Sequence, residues 1–463
     1  MFKSYLKIIP IIFILFFCSN FVLAQSQEIS LPKIEKTVLD NGLILLTIER
    51  HDLPVVSFRL VLKTGSAFDP NDKPGLADLT AGLLRKGTKT KNAIQISEAI
   101  DFIGGDLGAG ADWDVTFATC RVLSKYFDTG LELLSDIVLN PAFSEDEIKR
   151  LAQQTIAGIK QSKDNPSYLA DKNFRKFLFG DYPYGRPREG TEASIASIKR
   201  DDIVKFWESY YCPNNVILAV VGDIKPKEVL EKIKAKFGTW KKKELSPTTF
   251  TLPSPPQGIE ILLVDKPDLT QAYVKMGHFG IERSSPDYFP CRTANYILGG
   301  GSFSSRLMDI VRSKRGLTYD VNSYFEVNKL KGAFLVSTFT RNDSTEAAIR
   351  AILEEMKRIK EEKVTEKELA DTKSFYSGFF ALQLETPDQV ATQIVNIELY
   401  NLGADYIKNY RKYVNNVTVD EVLQVAKKYF DPDNIKICVI GPAKILKPML
   451  EKIGKVEEKS FLD

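Results

Sequence analysis

The stretch YCPNNVILAVVG at residues 211–222 recurs as FDPDNIKICVIG at residues 430–441. The two copies share a proline, an asparagine and a final glycine at identical places, 219 residues apart. The register extends backwards without a gap, because IKRDDIV at residues 198–204 aligns with VTVDEVL at residues 417–423. An ungapped internal match of this length indicates a duplicated domain.

Each copy predicts the same local structure: a helix, a turn that contains proline and asparagine, a buried strand and a terminating glycine. Asp201 and Asp420 occupy early helix positions, where a carboxylate favours the positive end of the helix dipole. The apolar run that precedes each glycine is typical of a buried strand.

The rest of the chain mixes strands and helices. Residues 55–63 and 261–264 are β-branched or apolar runs that predict strands. Residues 92–103, 126–139 and 145–163 space apolar side chains at helical intervals. Because strands and helices alternate irregularly and some strands are close enough for hairpins, the pattern favours two α+β domains over a doubly wound parallel sheet.

The length also favours two domains, since 463 residues exceed the roughly 250 to 300 at which a single core stops growing. The sequence KKKELSPTTFTLPSPP at residues 241–256 is a charge run followed by a stretch rich in proline and threonine, which suits an extended linker. We therefore predict an N-terminal domain at residues 25–242, a linker at residues 243–257 and a C-terminal domain at residues 258–463.

Residues 1–24 have the layout of a secretory signal peptide: a basic start, a short apolar run and small residues before the cleavage point after Ala24. An uncleaved membrane anchor is the alternative. It is disfavoured because the run from Leu6 to Phe17 contains Pro10 and is shorter than the about 20 residues that a span requires. Cys18 lacks the small residues that precede a lipoprotein cysteine.

Charge and cysteine content exclude several function classes. The 63 Lys and Arg residues nearly cancel the 60 Asp and Glu residues, so no electrostatic case exists for nucleic acid or an anionic membrane as partner. The mature chain has single, widely spaced cysteines, which predict buried thiols rather than a disulfide framework or a metal site. These are Cys120, Cys212, Cys291 and Cys438.

Four stretches follow one another along the chain: LKTG at residues 62–65, GLADLTAGLLRKGT at 75–88, GGGSFSSRL at 299–307 and VRSKRGLTY at 311–319. In this order they resemble the insulinase or pitrilysin family of zinc peptidases, which includes mitochondrial processing peptidase. The resemblance covers nearly the whole mature chain. It implies two related, duplicated metallopeptidase-like α/β sandwich domains that form a clamp around a peptide chamber.

The family's metal motif is Gly-x-x-His-x-x-Glu-His, in which two histidines one helical turn apart bind zinc and the glutamate polarises the metal-bound water. Aligned on Gly75, the motif places Asp78, Ala81 and Gly82 at the three functional positions. One carboxylate is far from the usual three protein ligands of zinc. Asp78 is better explained as a favourable charge near the start of a helix.

The family's third ligand, a downstream glutamate, should fall near Ala157 or Gly158, where QQTIAGIKQ contains no carboxylate. The chain's two histidines, His51 and His278, lie outside both segments and do not form a spaced pair. Each is expected to be a surface residue or a residue satisfied by protein partners. We therefore expect this chain to bind no zinc and to perform no hydrolysis alone.

The second half retains a different family feature. In the family an arginine and a tyrosine seven residues apart reach the substrate carbonyl, and Arg312 and Tyr319 match that pair in type and spacing. A guanidinium and a phenol are good donors to a developing oxyanion. The alternative is that Arg312 pairs with a surface acid and Tyr319 packs as an ordinary strand aromatic.

Two glycine-rich stretches are candidate substrate contacts. Gly299, Gly300 and Gly301 do not fit a nucleotide-binding motif, and the resemblance implies that they handle peptide as a flexible lip of the chamber. Gly108 and Ala109 match the place where the family has a sheet edge that pairs with extended substrate. A glycine-rich hairpin without a ligand remains the alternative for these two residues.

These features together predict the zinc-free subunit of a heterodimeric metalloendopeptidase. It would bind a peptide or an unfolded polypeptide and supply Arg312 and Tyr319 to the active site of a zinc-bearing homologue. The alternative is a non-catalytic peptide-binding or scaffold protein of the cell envelope. The leader and the resemblance together imply secretion across the inner membrane into the periplasm, with no stable membrane insertion after cleavage.

Overall fold

The computed structural model describes residues 32–246 and 248–461. The leader predicted at residues 1–24 lies outside these residues. Within the described ranges, no helix combines the length and the apolar character needed to cross a membrane.

The first half of the described chain builds one six-stranded sheet, with strand order β1-β2-β6-β3-β5-β4. Its strands are β1 (Glu35–Val38), β2 (Ile44–Glu49), β3 (Val55–Leu62), β4 (Asp106–Ala111), β5 (Thr116–Leu123) and β6 (Val216–Gly222). Strands β2 and β6 are parallel and the other pairs are antiparallel. The helices of this half are α1 (Leu76–Leu83), α2 (Ala93–Phe102), α3 (Phe127–Leu139), α4 (Glu145–Ser162), α5 (Pro166–Phe179), α6 (Glu192–Ser197), α7 (Arg200–Tyr210) and α8 (Pro226–Phe237).

The second half builds another six-stranded sheet, with strand order β12-β7-β11-β8-β10-β9. Its strands are β7 (Ile259–Asp265), β8 (Gln271–Phe279), β9 (Thr318–Phe325), β10 (Ala333–Arg341), β11 (Ile435–Gly441) and β12 (Lys455–Ser460). The helices are α9 (Tyr288–Asn295), α10 (Thr345–Glu361), α11 (Glu366–Leu382), α12 (Pro387–Leu399), α13 (Tyr406–Asn416), α14 (Val419–Tyr429) and α15 (Ala443–Leu450). Two π-helical segments, Tyr296–Gly300 and Met308–Lys314, lie between α9 and β9.

The predicted duplication and α+β class are confirmed. Five strands of each sheet follow the same spatial order, with β2, β6, β3, β5 and β4 matched by β7, β11, β8, β10 and β9. The element pair α7–β6 recurs as α14–β11, with every boundary 219 residues apart. Asp201 and Asp420 both lie in the first turn of their helices, as the sequence predicts.

Each sheet is covered on one face by a helix from the other half of the chain. Helix α5 packs on β8 and β11 of the second sheet, and α12 packs on β3 and β6 of the first. Both helices begin with a proline that follows an N-cap side chain, Asn165 or Thr386. This exchange creates an apolar core to which both halves contribute, including Leu169, Phe174, Leu178, Val264, Leu335 and Ile440.

Polar contacts add to this shared core. The Asp114 carboxylate accepts hydrogen bonds from the Tyr184 hydroxyl at 2.7 Å and from the Lys329 N–H at 2.7 Å. The Arg175 guanidinium forms a two-pronged pair with Glu326, with 2.9 Å between Nη1 and Oε2. These contacts hold the turn between β9 and β10 against the first half.

We expect Phe174→Ala to lower the free energy of unfolding by about 3–5 kcal/mol, because Phe174 is fully buried between α5 and the second sheet. Phe102→Ala is the matched control. Phe102 is 87% exposed on α2, so its loss should change stability by no more than about 0.5 kcal/mol. Denaturant titration of both variants measures the difference, and equal stabilities would contradict the proposed importance of the shared core.

Candidate functional site

Helix α1 carries the three predicted metal positions, and the Asp69 carboxylate fixes its start. Its oxygens accept hydrogen bonds from the Gly75 and Ala77 N–H groups, each at 2.8 Å. Gly75 has φ 95°, and a Cβ there would lie 2.7 Å from Ile195 Cδ1, so only glycine fits this entry to the helix. Burial raises the pKa of Asp69 to about 7.

The side chains at the metal positions do not fit a zinc ion. Asp78 lies in the first turn of α1, as predicted, and burial raises its pKa while the charge of Arg188 opposes the shift. Ala81 is fully buried and carries no donor atom. A Cβ at Gly82 would approach Leu151 Cδ2 of α4 to 3.0 Å, so neighbouring side-chain packing already crowds that position.

The fourth predicted metal position, Gly158, lies on the exposed surface of α4 and likewise offers no donor side chain. Across residues 32–246 and 248–461, no three His, Cys, Asp or Glu residues are grouped so that they could hold a metal ion. The four predicted metal positions therefore offer one carboxylate, which falls short of a zinc site.

Both histidines are satisfied by protein partners, as predicted. The exposed His51 ring contacts Asp223 at 2.6 Å and Glu49 at 2.8 Å, and these hydrogen bonds raise its pKa. His278 is buried, and burial lowers its pKa. Its Nδ1 faces the Phe279 carbonyl at 3.0 Å and its Nε2 accepts from the Asp431 N–H at 3.0 Å, which fixes the neutral ring.

The four described cysteines are free, buried thiols, as the sequence predicts. Burial raises the pKa of both Cys120 and Cys438 to about 12. A thiol with so high a pKa stays protonated at neutral pH and is a poor nucleophile.

A cavity of about 430 Å³ lies beside α4 and includes Gly158 in its wall. Trp113 is its aromatic wall, with the Arg175 and Arg188 guanidinium carbons 4.5 and 5.9 Å from the Trp113 ring centroid. Lys172 also lines this space. Tyr168, Asp171 and Glu189 complete a wall that carries aromatic rings and both signs of charge, groups that suit contact with a peptide segment. None of these residues was predicted from the sequence, although Trp113 lies close after Gly108 and Ala109.

Strand β4 forms one edge of the first sheet, as the sequence predicts, since among the described residues it pairs only with β5. Antiparallel pairing directs the N–H and C=O groups of alternate residues away from the partner strand. Arg85 Nη1 donates to the outward Leu107 carbonyl at 2.6 Å, and the Ala111 N–H hydrogen-bonds the Asp78 carboxylate. Ala109, between these two residues, therefore directs both backbone groups towards the free edge.

Gly108 is oriented differently from Ala109. Its N–H and C=O face Thr119 on β5, and a Cβ at Gly108 would lie 2.7 Å from Thr119 Oγ1. The glycine is therefore required by packing within the sheet. Of the two predicted substrate-binding residues, only Ala109 offers its backbone to an added strand.

Arg312 and Tyr319 lie together at the surface of the second half. The Arg312 guanidinium carbon is 4.7 Å from the Tyr319 ring centroid and 4.7 Å from the Phe303 ring centroid. Tyr319 and Phe303 are each 72% exposed. Within the described part of the chain Arg312 has no ion-pair partner. The structure therefore does not contain the alternative arrangement, in which Arg312 pairs with a surface acid and Tyr319 packs as an ordinary strand aromatic. Phe303 was not singled out from the sequence.

Gly299 and Gly300 end the π-helical segment Tyr296–Gly300, and Gly301 follows it directly. A Cβ would lie 2.5 Å from Ser323 Oγ at Gly299, 2.6 Å from Asn295 Nδ2 at Gly300, and 2.8 Å from the Tyr296 carbonyl at Gly301. Lack of space for a side chain thus explains the three glycines. The sequence had suggested a different reason, the flexibility of a chamber lip.

The structure brings the predicted residues together in two groups. Asp78, Ala81 and Gly82 share α1, which packs on α4 with Gly158, whereas Arg312 and Tyr319 form a separate surface pair. Across the described ranges, no hydrogen bond, ion pair or ring contact joins α1 to that pair. Among the described residues, Arg312 and Tyr319 therefore do not share direct contacts with the predicted metal positions on α1.

Sequence profiles of one peptidase family match both halves of the chain. The profile described as "Insulinase (Peptidase family M16)" matches residues 45–192, and the one described as "Peptidase M16 inactive domain" matches residues 197–376. Together they match more than half of the chain, which therefore belongs to the insulinase family.

Relatives and a solved structure agree with this assignment. An "Uncharacterized zinc protease" of Rickettsia bellii is 29% identical over 413 residues, covering 87% of this chain and 96% of that protein. A "Non-peptidase homolog YmxG" of Helicobacter pylori is 23% identical over 399 residues, covering 86% of this chain and 91% of that protein. The crystal structure of a peptidase M16 inactive domain from Pseudomonas fluorescens superposes with a TM-score of 0.83 at 29% identity, covering 89% of this chain and 98% of that one.

We predict that Asp69 makes stability depend on pH. Its carboxyl binds a proton more tightly in the folded chain, where its pKa is about 7, than in the unfolded chain. The stabilisation of the folded chain by this bound proton is therefore fully present below about pH 4 and declines as the pH rises towards 7. Urea unfolding at pH 5 and pH 7.5 should show a smaller decline for Asp69→Asn than for the wild type. Identical declines would contradict the raised pKa.

Proposed function

We propose that this chain is the zinc-free subunit of a two-chain metalloendopeptidase. A zinc-bearing homologue supplies the metal and the hydrolytic step, and this chain supplies Arg312 and Tyr319 together with part of the peptide-binding surface. The observation that carries the proposal is that Arg312 lies over the exposed rings of Tyr319 and Phe303, in a chain whose α1 offers a single carboxylate at the predicted metal positions.

The geometry of Arg312 suits a donor that acts on a bound peptide. Aromatic faces on Phe303 and Tyr319 restrict the guanidinium without occupying its N–H groups in an ion pair. An arginine held in this way loses less conformational freedom when it donates to a carbonyl oxygen. The Tyr319 hydroxyl is a second donor beside it, and both donors stabilise the negative charge that develops on that oxygen.

Peptide binding is supported by two features of the first half. The outward N–H and C=O groups of Ala109 can pair with one residue of an extended chain. The cavity beside α4 adds the aromatic face of Trp113 and the positive charges of Lys172 and Arg188. Peptide or unfolded polypeptide is therefore the substrate class that we propose.

The names of two similar proteins support the absence of independent hydrolysis. One similar structure is described as an inactive domain and one relative as a non-peptidase homologue. The second name also favours a further candidate, a non-catalytic peptide-binding or scaffold protein of the cell envelope. That candidate predicts peptide binding or stable assembly without hydrolysis, even in the presence of a zinc-bearing homologue.

We also propose export to the periplasm, on the basis of the leader at residues 1–24. The chain recovered from the periplasm should begin at Gln25, which intact-mass measurement can establish. Recovery of the full-length chain in the membrane fraction would contradict cleavage and support the anchor.

Substitutions of Arg312 and Tyr319 test their proposed role as donors to the substrate carbonyl. We expect Arg312→Ala to lower kcat of the reconstituted pair roughly 10²-fold, because a transition-state donor is lost. Tyr319→Phe keeps the aromatic face and removes only the hydroxyl, so it should lower kcat without changing the fold. Steady-state hydrolysis of a fluorogenic peptide by the mixed subunits measures both effects.

Arg315→Ala is the matched control for these variants. Arg315 lies three residues from Arg312, and its guanidinium donates to Glu354 Oε2 at 2.6 Å. Its loss should leave turnover unchanged. Unchanged turnover in both Arg312→Ala and Tyr319→Phe, with circular dichroism as for the wild type, would remove the proposed role of the pair.

A further inference from the structure

A second cavity, of about 190 Å³, lies in the second half, and Arg312 does not line it. Helix α9 contributes Tyr288, Arg292 and Asn295 to its wall, β9 contributes Tyr324, and α11 contributes Tyr376. The Asn295 amide is already satisfied, because it exchanges hydrogen bonds with Ser323 at 2.8 and 3.0 Å. The wall is therefore aromatic, with one guanidinium.

Arg292 is largely enclosed by tyrosines. Its Nη1 donates to the Tyr410 hydroxyl at 2.6 Å, and its guanidinium carbon lies 3.9 Å from the Tyr376 ring centroid. In the described part of the chain no carboxylate lies within ion-pair distance of this guanidinium. Its positive charge is thus balanced only by neutral phenols and aromatic faces.

Arg283 is a second guanidinium beside the same cavity wall. Its guanidinium carbon lies 3.8 Å from the Tyr288 ring centroid, and its Nη2 donates to the Tyr406 hydroxyl at 2.6 Å. Residues 32–246 and 248–461 supply no carboxylate partner for Arg283 either. Tyr288 is therefore flanked by two arginines whose charge the protein does not neutralise.

Among the described residues the two buried arginines, Arg175 and Arg306, are neutralised. Arg306 donates to both carboxylate oxygens of Glu368, at 2.7 and 3.0 Å, and Arg175 pairs with Glu326 and Asp171. An arginine removed from water without a carboxylate loses solvation that aromatic contacts restore only in part. Arg292 is half-buried, has no carboxylate partner among the described residues and lines a cavity, and this combination leaves room for a carboxylate from outside.

We propose that this cavity binds a carboxylate group. Its source is either a peptide, through a C-terminus or an acidic side chain, or a small free carboxylic acid. The volume is below the roughly 300 Å³ at which ordinary ligand pockets begin, so it suits one side chain or a small acid. Arg292 donates to the carboxylate, the Tyr288 and Tyr376 rings pack against the group that carries it, and Arg283 contributes a second positive charge. This assignment does not depend on the composite peptidase.

Calorimetric titration of the isolated chain tests the proposal with four probes. They are N-acetyl-trialanine with a free C-terminus, its C-terminal amide, a doubly blocked alanyl-glutamyl-alanine peptide, and sodium propionate. Charged hydrogen bonds predict that the probes that carry a carboxylate bind roughly tenfold or more tightly than the fully blocked amide. Propionate that binds as tightly as the peptides identifies a free acid as the source, and weaker propionate binding identifies a peptide.

Three variants sharpen the test. Arg292→Gln and Arg283→Gln should each weaken carboxylate binding, by roughly tenfold for Arg292. Arg350→Gln, at an exposed arginine of α10 that pairs with Glu346, should leave binding unchanged. If Arg292→Gln fails to fold, the arginine Nε–H NMR signals of the wild-type chain are followed during titration with the carboxylate probes instead. We expect these signals to shift. Equal affinity for all four probes, or signals that do not move, would overturn the proposal.

Discussion

The exchange of α5 and α12 between the two sheets is the constraint on which the rest of the structure depends. Each helix covers the face of a sheet that belongs to the other half, so neither sheet is fully buried by its own segment of chain. Helix α5 also supplies Lys172 and Arg175 to the first cavity, and Arg175 holds Glu326 at the end of β9. The packing that joins the halves therefore also fixes the first cavity and the strand that carries Tyr319.

The two halves keep the same architecture but offer different chemistry. On α1 the capping carboxylate of Asp69 and the close fit of Gly75 preserve the geometry of a helix start, while Ala81 and Gly82 carry no metal donor. In the second half, the half-buried Arg312 lies against the rings of Phe303 and Tyr319. In the function that we propose, this chain contacts and polarises the peptide, and a zinc-bearing homologue supplies the metal.

Sequence predicted the elements well and their partners less well. The repeat fixed the boundaries of α7, β6, α14 and β11, because local cues such as an early carboxylate, a proline turn and a terminal glycine recur in both copies. It could not predict the helix exchange, since the apolar face of α5 is compatible with either sheet. Phe303, Arg283 and Arg292 were also missed, because exposure and the absence of a carboxylate are properties of three-dimensional packing.

The most direct test of the central claim is a measurement of zinc content and peptide hydrolysis for the mature chain alone, the zinc-bearing homologue alone and the two mixed. We predict that this chain alone retains no zinc and has no turnover, and that activity appears or rises sharply on mixing. One equivalent of zinc with hydrolysis by this chain alone would contradict the account. A mixture that hydrolyses no peptide would instead favour a scaffold role.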